Sequence, residues 1–504
     1  MIRNYLDILA ESIRNNWDQP ALTDFYLTED GSAQDTSRGN HYTYGEMYAE
    51  IVRVADLLTD LGLQKGDHIA ICGANSAHWV IAYLAIAKIE SVVVTTISSQ
   101  SIENLAYQID FSDAKALFVD ENLWKDLKTQ SMPIHNAVAL DDWSILKGKI
   151  ISKFKSPISN YDCQFPHQVA DNLAQICFTS GSTGISRGVM IPYRSISNNV
   201  NNLLQKYVTS SNPNCFAFLQ FSHAGELLCE IMQQLCGGKH IFILRDLLTI
   251  KNIMLSLKAV APYMIFTVPE ILSALYKKYD LKKIDTIEQI VTAGALLDSN
   301  IEAKLLALGI PLTNEYGLTE SLILSSSTPS QYKKTSVGMV LDNIEISIAP
   351  NGEILVKGEN VMLGYYKDPE ATAQKIDKDG WLHTGDKGHL DEDGYLYVEG
   401  RLEQDIIVLP NGENIRPDNI ESLINALPEV KESIVLARDG KLVAIVVPQI
   451  SNLQSSISNA DLRRKILRQI NPQLPLFSQL YDVEISETPL QRTEKQTLKR
   501  YLYR

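Results

Sequence analysis

Residues 179–184 combine hydroxyl side chains with glycines, directly after an apolar run at 173–178. Glycines leave backbone amides free to turn toward an anion, hydroxyls add hydrogen-bond donors, and Arg187 adds positive charge, which together suit a polyphosphate. The hydroxyl and glycine residues concerned are Thr179, Ser180, Gly181, Ser182, Thr183 and Gly184. The Walker pattern GxxxxGK(S/T) is absent, and from chemistry alone a flexible Ser/Gly linker stays an alternative.

Later segments bring aromatic, carboxylate and basic residues into fixed spacings. They read NEYGLTE at 314–320, WLHTGD at 381–386, GR at 400–401 followed by NGENIRP at 411–417, and PLQRTEK at 489–495. Together with 178–188 they resemble, in the same order, the TSG(S/T)TGxPKG, NxYGxTE, WxxTGD, hinge and PxTxxGK motifs of adenylate-forming enzymes. This superfamily contains acyl-CoA synthetases, peptide-synthetase adenylation domains and luciferases. The resemblance extends from about residue 42 to residue 499, almost the whole chain.

The resemblance implies an ATP site. Residues 179–184 are expected to wrap the β- and γ-phosphates, Tyr316 to stack on adenine, and Asn314 to hydrogen-bond the exocyclic amine. Asp386 is expected to accept hydrogen bonds from the ribose hydroxyls, and Arg401 to support ribose or phosphate. The structural alternatives are a core aromatic for Tyr316 and an Asx-turn residue for Asp386.

Four residues are assigned to the reaction by the same resemblance. Thr319 suits a phosphate oxygen, and Glu320 suits Mg²⁺, a hard cation that prefers carboxylate and phosphate oxygens. Lys495 is the expected catalytic cation, because attack of a carboxylate on the α-phosphate brings two anions together. His223 aligns with the histidine or aromatic residue near the substrate carboxylate, although a lone histidine is often structural.

The family carries out two reactions at one site, so its small C-terminal domain rotates between them. Glu403 falls at the usual hinge position, with Leu402 and Gln404 as alternatives. Three positions depart from the family pattern. Arg187 replaces the usual lysine of the phosphate loop, which keeps charge but changes geometry. Glu494 stands where glycine often precedes the catalytic lysine, and Glu403 where aspartate or lysine is common.

The expected substrate is a medium- or long-chain fatty acid, with an aryl acid as the nearest alternative. Amino-acid-activating relatives carry an aspartate where this chain has Ser222, so a buried ammonium group would lack its partner. Small residues are expected to line the acyl pocket, namely Ala224, Ala293, Gly294 and Ala295.

The expected acceptor is CoA, and a holo acyl-carrier protein is the main alternative. ATP and Mg²⁺ complete the expected set of reactants and cofactors. A second class of function is also compatible with the sequence, namely a non-catalytic protein that binds a nucleotide or an acyl-adenylate. Losses at Lys495, Glu320 or Asp386 would favour that class, and all three residues are present.

These residues must be positioned by an α/β fold. Apolar runs at 68–72, 91–96, 115–119, 217–221, 240–244 and 264–268 alternate with helical patterns at 77–89, 102–111, 227–236, 250–260 and 270–276. Such alternation predicts repeated βα units around parallel strands. Short alternating runs and turns at 337–398 predict a small β-rich layer. We therefore expect a large N-terminal body at 1–402 and a small mobile α+β lid at 403–504, with a helix at 418–426, strands at 433–437 and 443–447, and a basic helix at 460–469.

Composition narrows the function classes. A net charge of −14 and a pI near 5.2 disfavour a general nucleic-acid or anionic-membrane binder, since both need a basic surface. The six cysteines form no CxxC pair and lie mostly in apolar runs, which predicts buried free thiols in a reducing compartment. No stretch has the roughly 20 apolar residues of a membrane span, and the N-terminus lacks the apolar core of a signal peptide. A cytoplasmic location is expected.

Overall fold

Strands and helices alternate through most of the chain. The computed structural model describes residues 2–28, 34–130, 132–148, 163–179, 186–207, 209–279, 281, 284–309, 311–402, 407–409, 413–449, 458–490 and 503. Two units can be distinguished, the larger containing residues 1–179 and 187–400 and the smaller containing residues 401–504. No helix in these ranges is both long enough and apolar enough to cross a membrane.

The strands of the described residues, in chain order, are β1 Pro20–Leu27, β2 Gln34–Asp35, β3 His41–Thr43, β4 His68–Cys72, β5 Val92–Thr95, β6 Ala114–Val119, β7 Asn136–Ala139, β8 Ile145–Lys147, β9 Leu173–Thr179, β10 Arg187–Pro192, β11 Asn214–Ala217, β12 His240–Leu244, β13 Met264–Thr267, β14 Gln289–Thr292, β15 Leu312–Leu318, β16 Leu322–Ser326, β17 Met339–Val340, β18 Ile344–Ile348, β19 Glu353–Gly358, β20 Gly364–Tyr365, β21 Leu382–Leu390, β22 Leu396–Arg401, β23 Ile407–Val408, β24 Asn414–Ile415, β25 Val430–Arg438, β26 Lys441–Pro448 and β27 Leu480–Ile485.

The α-helices are α1 Tyr5–Asn15, α2 Tyr44–Asp60, α3 Ala77–Lys88, α4 Ile102–Phe111, α5 Glu121–Leu127, α6 Tyr193–Lys206, α7 Ala224–Glu226, α8 Gln233–Cys236, α9 Ile250–Val260, α10 Pro269–Lys278, α11 Ser299–Ala307, α12 Pro369–Lys375, α13 Pro417–Asn425 and α14 Asn459–Ile470. A π-helical turn, Leu227–Met232, joins α7 to α8, and 3₁₀ turns occur at Asn471–Gln473 and Leu476–Ser478.

Capping residues in the sequence define where several helices begin. The Thr43 side chain accepts from the Glu46 amide and the Glu46 carboxylate accepts from the Thr43 amide, a capping box that starts α2. Ser76 accepts from the Trp79 amide at the start of α3. Helix α3 is apolar on every side and almost completely buried. A helix with this composition belongs inside a protein rather than at its surface.

The described residues of the larger unit form three sheets. The first, sheet A, has the order β17-β16-β15-β14-β13-β11-β12-β1-β2, with β3 also paired to β1. The second has the order β20-β10-β9-β5-β4-β6-β7-β8, and the third is the smaller layer β18-β19-β21-β22. The first two sheets are parallel in their centres and end in antiparallel hairpins such as β15–β16 and β9–β10. The predicted α/β body with a small β-rich layer is confirmed.

Residues 217–221 differ from the prediction, because the strand begins earlier, at Asn214, and ends at Ala217. The following backbone amides are bound by side chains. Glu230 accepts from the amides of Phe218 and Leu219 at 3.4 and 3.2 Å, and Asn75 Oδ1 accepts from the Phe221 amide at 3.0 Å. An apolar run cannot reveal such tertiary partners.

The smaller unit contains the sheet β25-β26-β27, the two-stranded pair β23-β24, and helices α13 and α14. Strands β25 and β26 are antiparallel, whereas β26 and β27 are parallel. Its own apolar core includes Ile420, Ile424, Leu462 and Ile466. The predicted small α+β C-terminal domain is confirmed, and the boundary at residues 402 and 403 stays a prediction.

All six cysteines are free and buried, as their apolar surroundings predict. Burial raises the pKa of the Cys177 thiol to about 11 and that of Cys72 to about 12. Thiols of this kind are poor nucleophiles at neutral pH.

Replacement of Gly317 by alanine is expected to destabilise the protein. A Cβ at this position would lie 2.1 Å from the Leu322 carbonyl oxygen and 2.8 Å from its carbonyl carbon, so the β15–β16 hairpin would have to separate. Overpacking of this kind costs about 3 kcal/mol. Thermal and denaturant unfolding measure the loss. The control is Gly225→Ala, where an added Cβ meets no atom within 4 Å; equal stability of the two variants would contradict the packing argument.

Candidate functional site

The hairpin β15–β16 carries four of the residues that the sequence assigns to chemistry. Asn314 and Tyr316 lie two residues apart on β15, so their side chains leave the same face of the strand. Thr319 and Glu320 are half-buried in the turn before β16. Gly317 allows the close approach of the Leu322 carbonyl that shapes this hairpin.

Tyr316 and Asp386 are 70 residues apart in the chain, and the fold brings them into contact. The Tyr316 hydroxyl donates to Asp386 Oδ2 at 2.6 Å, and both side chains are buried. Two further hydrogen bonds fix the backbone at Asp386. Its amide donates to Thr384 Oγ1 at 3.0 Å, and the Thr384 hydroxyl donates to the Ile354 carbonyl at 2.6 Å. Gly385 takes a positive φ of +77° within β21, a backbone conformation that glycine adopts readily.

Glu320 and Arg187 both contact Tyr365. The Tyr365 hydroxyl donates to Glu320 Oε1 at 2.7 Å, and the Arg187 guanidinium lies 5.4 Å from the centre of the Tyr365 ring. Arg187 Nε also lies 3.6 Å from the Asp368 carboxylate. Burial, and next the negative charge of Glu320, raise the pKa of Tyr365, so this hydroxyl stays a donor. Tyr365 lies outside the motifs from which the site was predicted.

Thr179 and Arg187 face each other across the β9–β10 hairpin, where they form a register pair. The Thr179 hydroxyl donates to the Arg187 carbonyl at 3.5 Å. Between them lie the predicted phosphate-loop residues Ser180, Gly181, Ser182, Thr183 and Gly184, which are outside the described residues. Glu403 and Lys495 are also outside the described residues, as is the side chain of Arg401.

A row of polar side chains lies at the carboxyl ends of the parallel strands of sheet A. Thr267, Thr292 and Asn314 are lateral neighbours on β13, β14 and β15. Their oxygens Thr267 Oγ1, Thr292 Oγ1 and Asn314 Oδ1 are buried without a hydrogen-bond partner. Buried polar atoms normally have partners, so such a row indicates bound water or ligand at this edge. In open α/β sheets, ligands bind outside the carboxyl ends of strands.

His223 is half-buried and precedes helix α7, which packs against β16. Ala224 is buried at the first turn of that helix. The preceding chain is held by Asn75, whose side chain donates to the Leu219 carbonyl at 2.6 Å and accepts from the Phe221 amide. Sequence reasoning missed Asn75, although a polar residue shortly after a buried parallel strand is a signal for it.

The predicted pocket residues Ala293, Gly294 and Ala295 follow β14 directly. Ala293 is buried and Gly294 is exposed with a φ of +85°. A Cβ added to Gly294 would meet the Val268 side chain at 3.7 Å, an ordinary contact. These small residues therefore lie at the same strand edge as Thr292, and their role as a pocket lining stays a prediction.

Glu315, between Asn314 and Tyr316, faces the opposite side of β15 and is buried. The hydroxyls of Ser326 and Tyr207 donate to Oε1 at 2.9 and 3.1 Å. Burial raises the pKa of Glu315 from 4.5 to about 7, and the hydrogen bonds oppose that effect only in part. The carboxyl group thus changes charge near neutral pH beneath the hairpin.

Comparisons with known proteins identify the family of the chain. The sequence pattern of the family described as AMP-binding enzyme matches residues 9–366, and that of the AMP-binding enzyme C-terminal domain matches residues 404–503. A probable CoA ligase, CCL5, from Humulus lupulus is 26% identical over 80% of this chain and 77% of its own length. 4-Coumarate–CoA ligase 3 from Arabidopsis thaliana is 26% identical over 92% of this chain and 87% of its own.

Solved structures share the fold. The amide bond synthetase McbA from Marinactinospora thermotolerans superposes with a TM-score of 0.79 at 22% identity, covering 100% of this chain and 99% of its own. The o-succinylbenzoate CoA synthetase MenE from Bacillus subtilis, a double mutant bound to a product analogue, gives a TM-score of 0.77 at 23% identity over 99% and 97% of the two chains.

Replacement of Glu315 by glutamine is expected to change the pH dependence of stability. Because the pKa of Glu315 is raised in the folded state, its contribution to stability is fully present below pH 4.5 and is lost as the pH rises through 7. Glutamine does not titrate, so only the wild type loses this contribution. The free energy of unfolding of the variant, measured relative to that of the wild type, should therefore rise by roughly 2–3 kcal/mol between pH 4.5 and 7. Urea unfolding at several pH values measures this, and parallel curves for the two proteins would refute it.

Proposed function

Because the chain belongs to the AMP-binding enzyme family, we propose that it activates a carboxylic acid as its acyl-adenylate and transfers the acyl group to a thiol. The observation that carries the proposal is the contact between Tyr316 and Asp386, at 2.6 Å. The expected adenine platform and the expected ribose acceptor come from motifs 70 residues apart and lie side by side. A core aromatic or an Asx turn by itself would not require this pairing.

ATP is the proposed first substrate. Tyr316 and Asn314 would receive the adenine, and Asp386, oriented by the Tyr316 hydroxyl, would accept from the ribose. Arg187 and Thr179 lie at the two ends of the predicted phosphate loop and support binding of the β- and γ-phosphates. We assign Thr319 to a phosphate oxygen and Arg401 to ribose or phosphate on the resemblance of their motifs.

Glu320 is the proposed Mg²⁺ ligand. Its Oε1 accepts from Tyr365, which holds the carboxylate in place at the end of β15. In the described part of the chain no group of three or more His, Cys, Asp or Glu residues could hold a metal by itself. A single carboxylate therefore fits a cation bound mainly through phosphate oxygens, as Mg²⁺ is in nucleotide sites. Such an ion supplies neutralisation of phosphate charge when bound.

In the first half-reaction a carboxylate oxygen of the acid bonds to the α-phosphorus while the bond to the bridging oxygen breaks and pyrophosphate leaves. Lys495 is proposed to offset the negative charge that builds on the phosphoryl oxygens. His223, ahead of α7, is proposed to lie near the acid's carboxylate. In the second half-reaction a thiolate attacks the acyl carbon and AMP leaves.

The smaller domain, proposed to begin at Glu403, would deliver Lys495 for adenylation and rotate away for thioester formation. One position of a catalytic lysine cannot also leave room for a long thiol substrate, so two arrangements are needed. We therefore propose the hinge at or beside Glu403, consistent with the match of the C-terminal domain pattern from residue 404.

For the acid we propose a medium- or long-chain fatty acid, with an aryl acid as the second candidate. Ser222 gives no partner to a substrate ammonium, and Ala224, Ala293, Gly294 and Ala295 leave room for an apolar chain. Relatives named 4-coumarate–CoA ligases favour the aryl candidate. CoA is the proposed acceptor, supported by the names of these relatives; a holo acyl-carrier protein is the alternative, and a non-catalytic nucleotide binder is the alternative outside enzymes.

The purified protein is expected to exchange labelled pyrophosphate into ATP when supplied with the right acid. A panel of fatty acids of increasing chain length and of aryl acids such as coumarate would identify the acid by the largest exchange rate. Mass spectrometry of the product then separates acyl-CoA from acylated carrier protein. Absence of exchange with every acid, from folded protein that binds ATP, would favour the non-catalytic alternative.

Lys495→Ala is expected to reduce adenylation by at least about 100-fold, because the charge at the α-phosphate loses its counter-ion. Thioester formation from supplied acyl-adenylate should stay close to the wild-type rate. Lys499→Ala, in the same basic terminus, is the matched control and should retain both half-reactions. Equal losses of both half-reactions in Lys495→Ala would contradict this division of roles.

A further inference from the structure

Asn314 has an unequal hydrogen-bond environment at the two ends of its amide group. The amide nitrogen, Nδ2, donates to the Ser336 carbonyl at 3.1 Å and to the Tyr332 hydroxyl oxygen at 3.0 Å, with Glu302 Oε1 at 3.5 Å. The amide oxygen, Oδ1, is buried and has no partner. Both amide hydrogens are therefore committed, and the free atom of this side chain is an acceptor.

The chemistry of the neighbours determines this orientation. The Ser336 carbonyl can only accept. The Tyr332 hydroxyl gives its hydrogen to Glu302 Oε1, so its oxygen is left to accept from Asn314. Glu302 Oε1 also accepts from the Thr335 amide at 2.8 Å, which identifies that oxygen as an acceptor. If the Asn314 amide were turned over, its oxygen would face the oxygens of Ser336, Tyr332 and Glu302 without a hydrogen between them.

Tyr332 keeps its role as the donor to Glu302 at neutral pH. Burial, followed by the hydrogen bond to Glu302, raises the pKa of Tyr332, so its hydroxyl keeps its hydrogen. Glu302 is fully buried in helix α11, which begins at Ser299 under the Asp298 cap. The relay from Asn314 through Tyr332 to Glu302 thus runs in one direction only, from amide donor to carboxylate acceptor.

An acceptor in this position distinguishes purines by their 6-substituent. Adenine has a 6-amino group that can donate, whereas hypoxanthine and guanine have a 6-oxo group that can only accept. A site whose polar atom is buried and cannot be reversed rejects the mismatched partner strongly, because both oxygens would lose their hydration without gaining a hydrogen bond.

We propose that Glu302 is a positioning residue that acts through Tyr332 to hold the Asn314 amide with its oxygen free for the nucleobase, and so selects ATP over 6-oxopurine nucleotides. The inference rests on the proposed function, in which Asn314 and Tyr316 receive the base. It assigns nucleotide specificity to a side chain on α11 that does not itself contact the nucleotide.

The test compares binding of ATP and inosine triphosphate by calorimetry, with Mg²⁺ and without any acid. Inosine triphosphate differs from ATP in the purine 6-position and the N1 hydrogen that follows from it. In Glu302→Leu the Tyr332 hydroxyl loses its acceptor and becomes free to donate to a reversed Asn314 oxygen. We expect the ATP preference to fall about 10-fold, the effect of one to two hydrogen bonds.

Two further variants separate positioning from a general structural effect. Glu302→Gln keeps a carbonyl oxygen for Tyr332 and Thr335, so it should retain the wild-type preference. Tyr332→Phe removes one acceptor of the Asn314 amide and should lower the preference as well. Tyr397→Phe, which removes a hydroxyl bonded to Asp391, is the matched control and should leave it unchanged.

Equal losses of affinity for both nucleotides in Glu302→Leu and in Tyr332→Phe would overturn the positioning role, since a merely loosened fold weakens both alike. Failure of the wild-type protein to bind ATP would overturn the proposed function and this inference together. Failure of the positioning role is detected by the ratio of ATP to inosine triphosphate affinity in the variants, whereas failure of the proposed function is detected by ATP binding to the wild type. The two failures are therefore distinguishable.

Discussion

The hydrogen bond from the Tyr316 hydroxyl to the Asp386 carboxylate is the interaction on which the rest of the site depends. It joins β15, the third strand from one edge of sheet A, to β21 of the small antiparallel layer. Each residue is positioned by its own element. Tyr316 is positioned by the tight β15–β16 hairpin, and Asp386 by the Thr384 hydroxyl and the positive φ of Gly385 within β21. The Tyr316 ring and the Asp386 carboxylate are both buried. The carboxylate can be buried at low cost because it accepts a hydrogen bond from the Tyr316 hydroxyl.

The same sheet edge contains polar groups that the protein does not satisfy by itself. Thr267, Thr292 and Asn314 stand in register with oxygens that lack partners, while the reverse side of β15 contains Glu315 with donors from Ser326 and Tyr207. One strand therefore has a fully bonded face and an incompletely bonded face. The energetic cost of the unpaired atoms is the physical reason to expect a ligand on that side.

Positioning extends behind the residues that would touch substrate. Asn75 holds the backbone before His223, Tyr365 holds Glu320, and Glu302 with Tyr332 orients Asn314. None of these supporting residues belongs to the motifs that resemble the family signatures. They lie on other elements, β20 for Tyr365 and α11 for Glu302, so a substitution there would change chemistry without altering a motif.

The α/β class, the helices at Ile102–Phe111 and Ile250–Val260, and the residues that resemble an adenylate-forming site could all be predicted from the amino-acid sequence. These follow from local periodicity and from residue types at fixed spacing, which the chain carries without reference to its fold. The roles of Lys495, Glu403 and the 180–184 loop stay predictions. The folded structure was needed to show that residues 218–221 leave the strand, that Tyr316 contacts Asp386, and that the Asn314 amide oxygen has no partner. Each of those outcomes depends on hydrogen-bond partners that are distant in sequence, and periodicity contains no information about such partners.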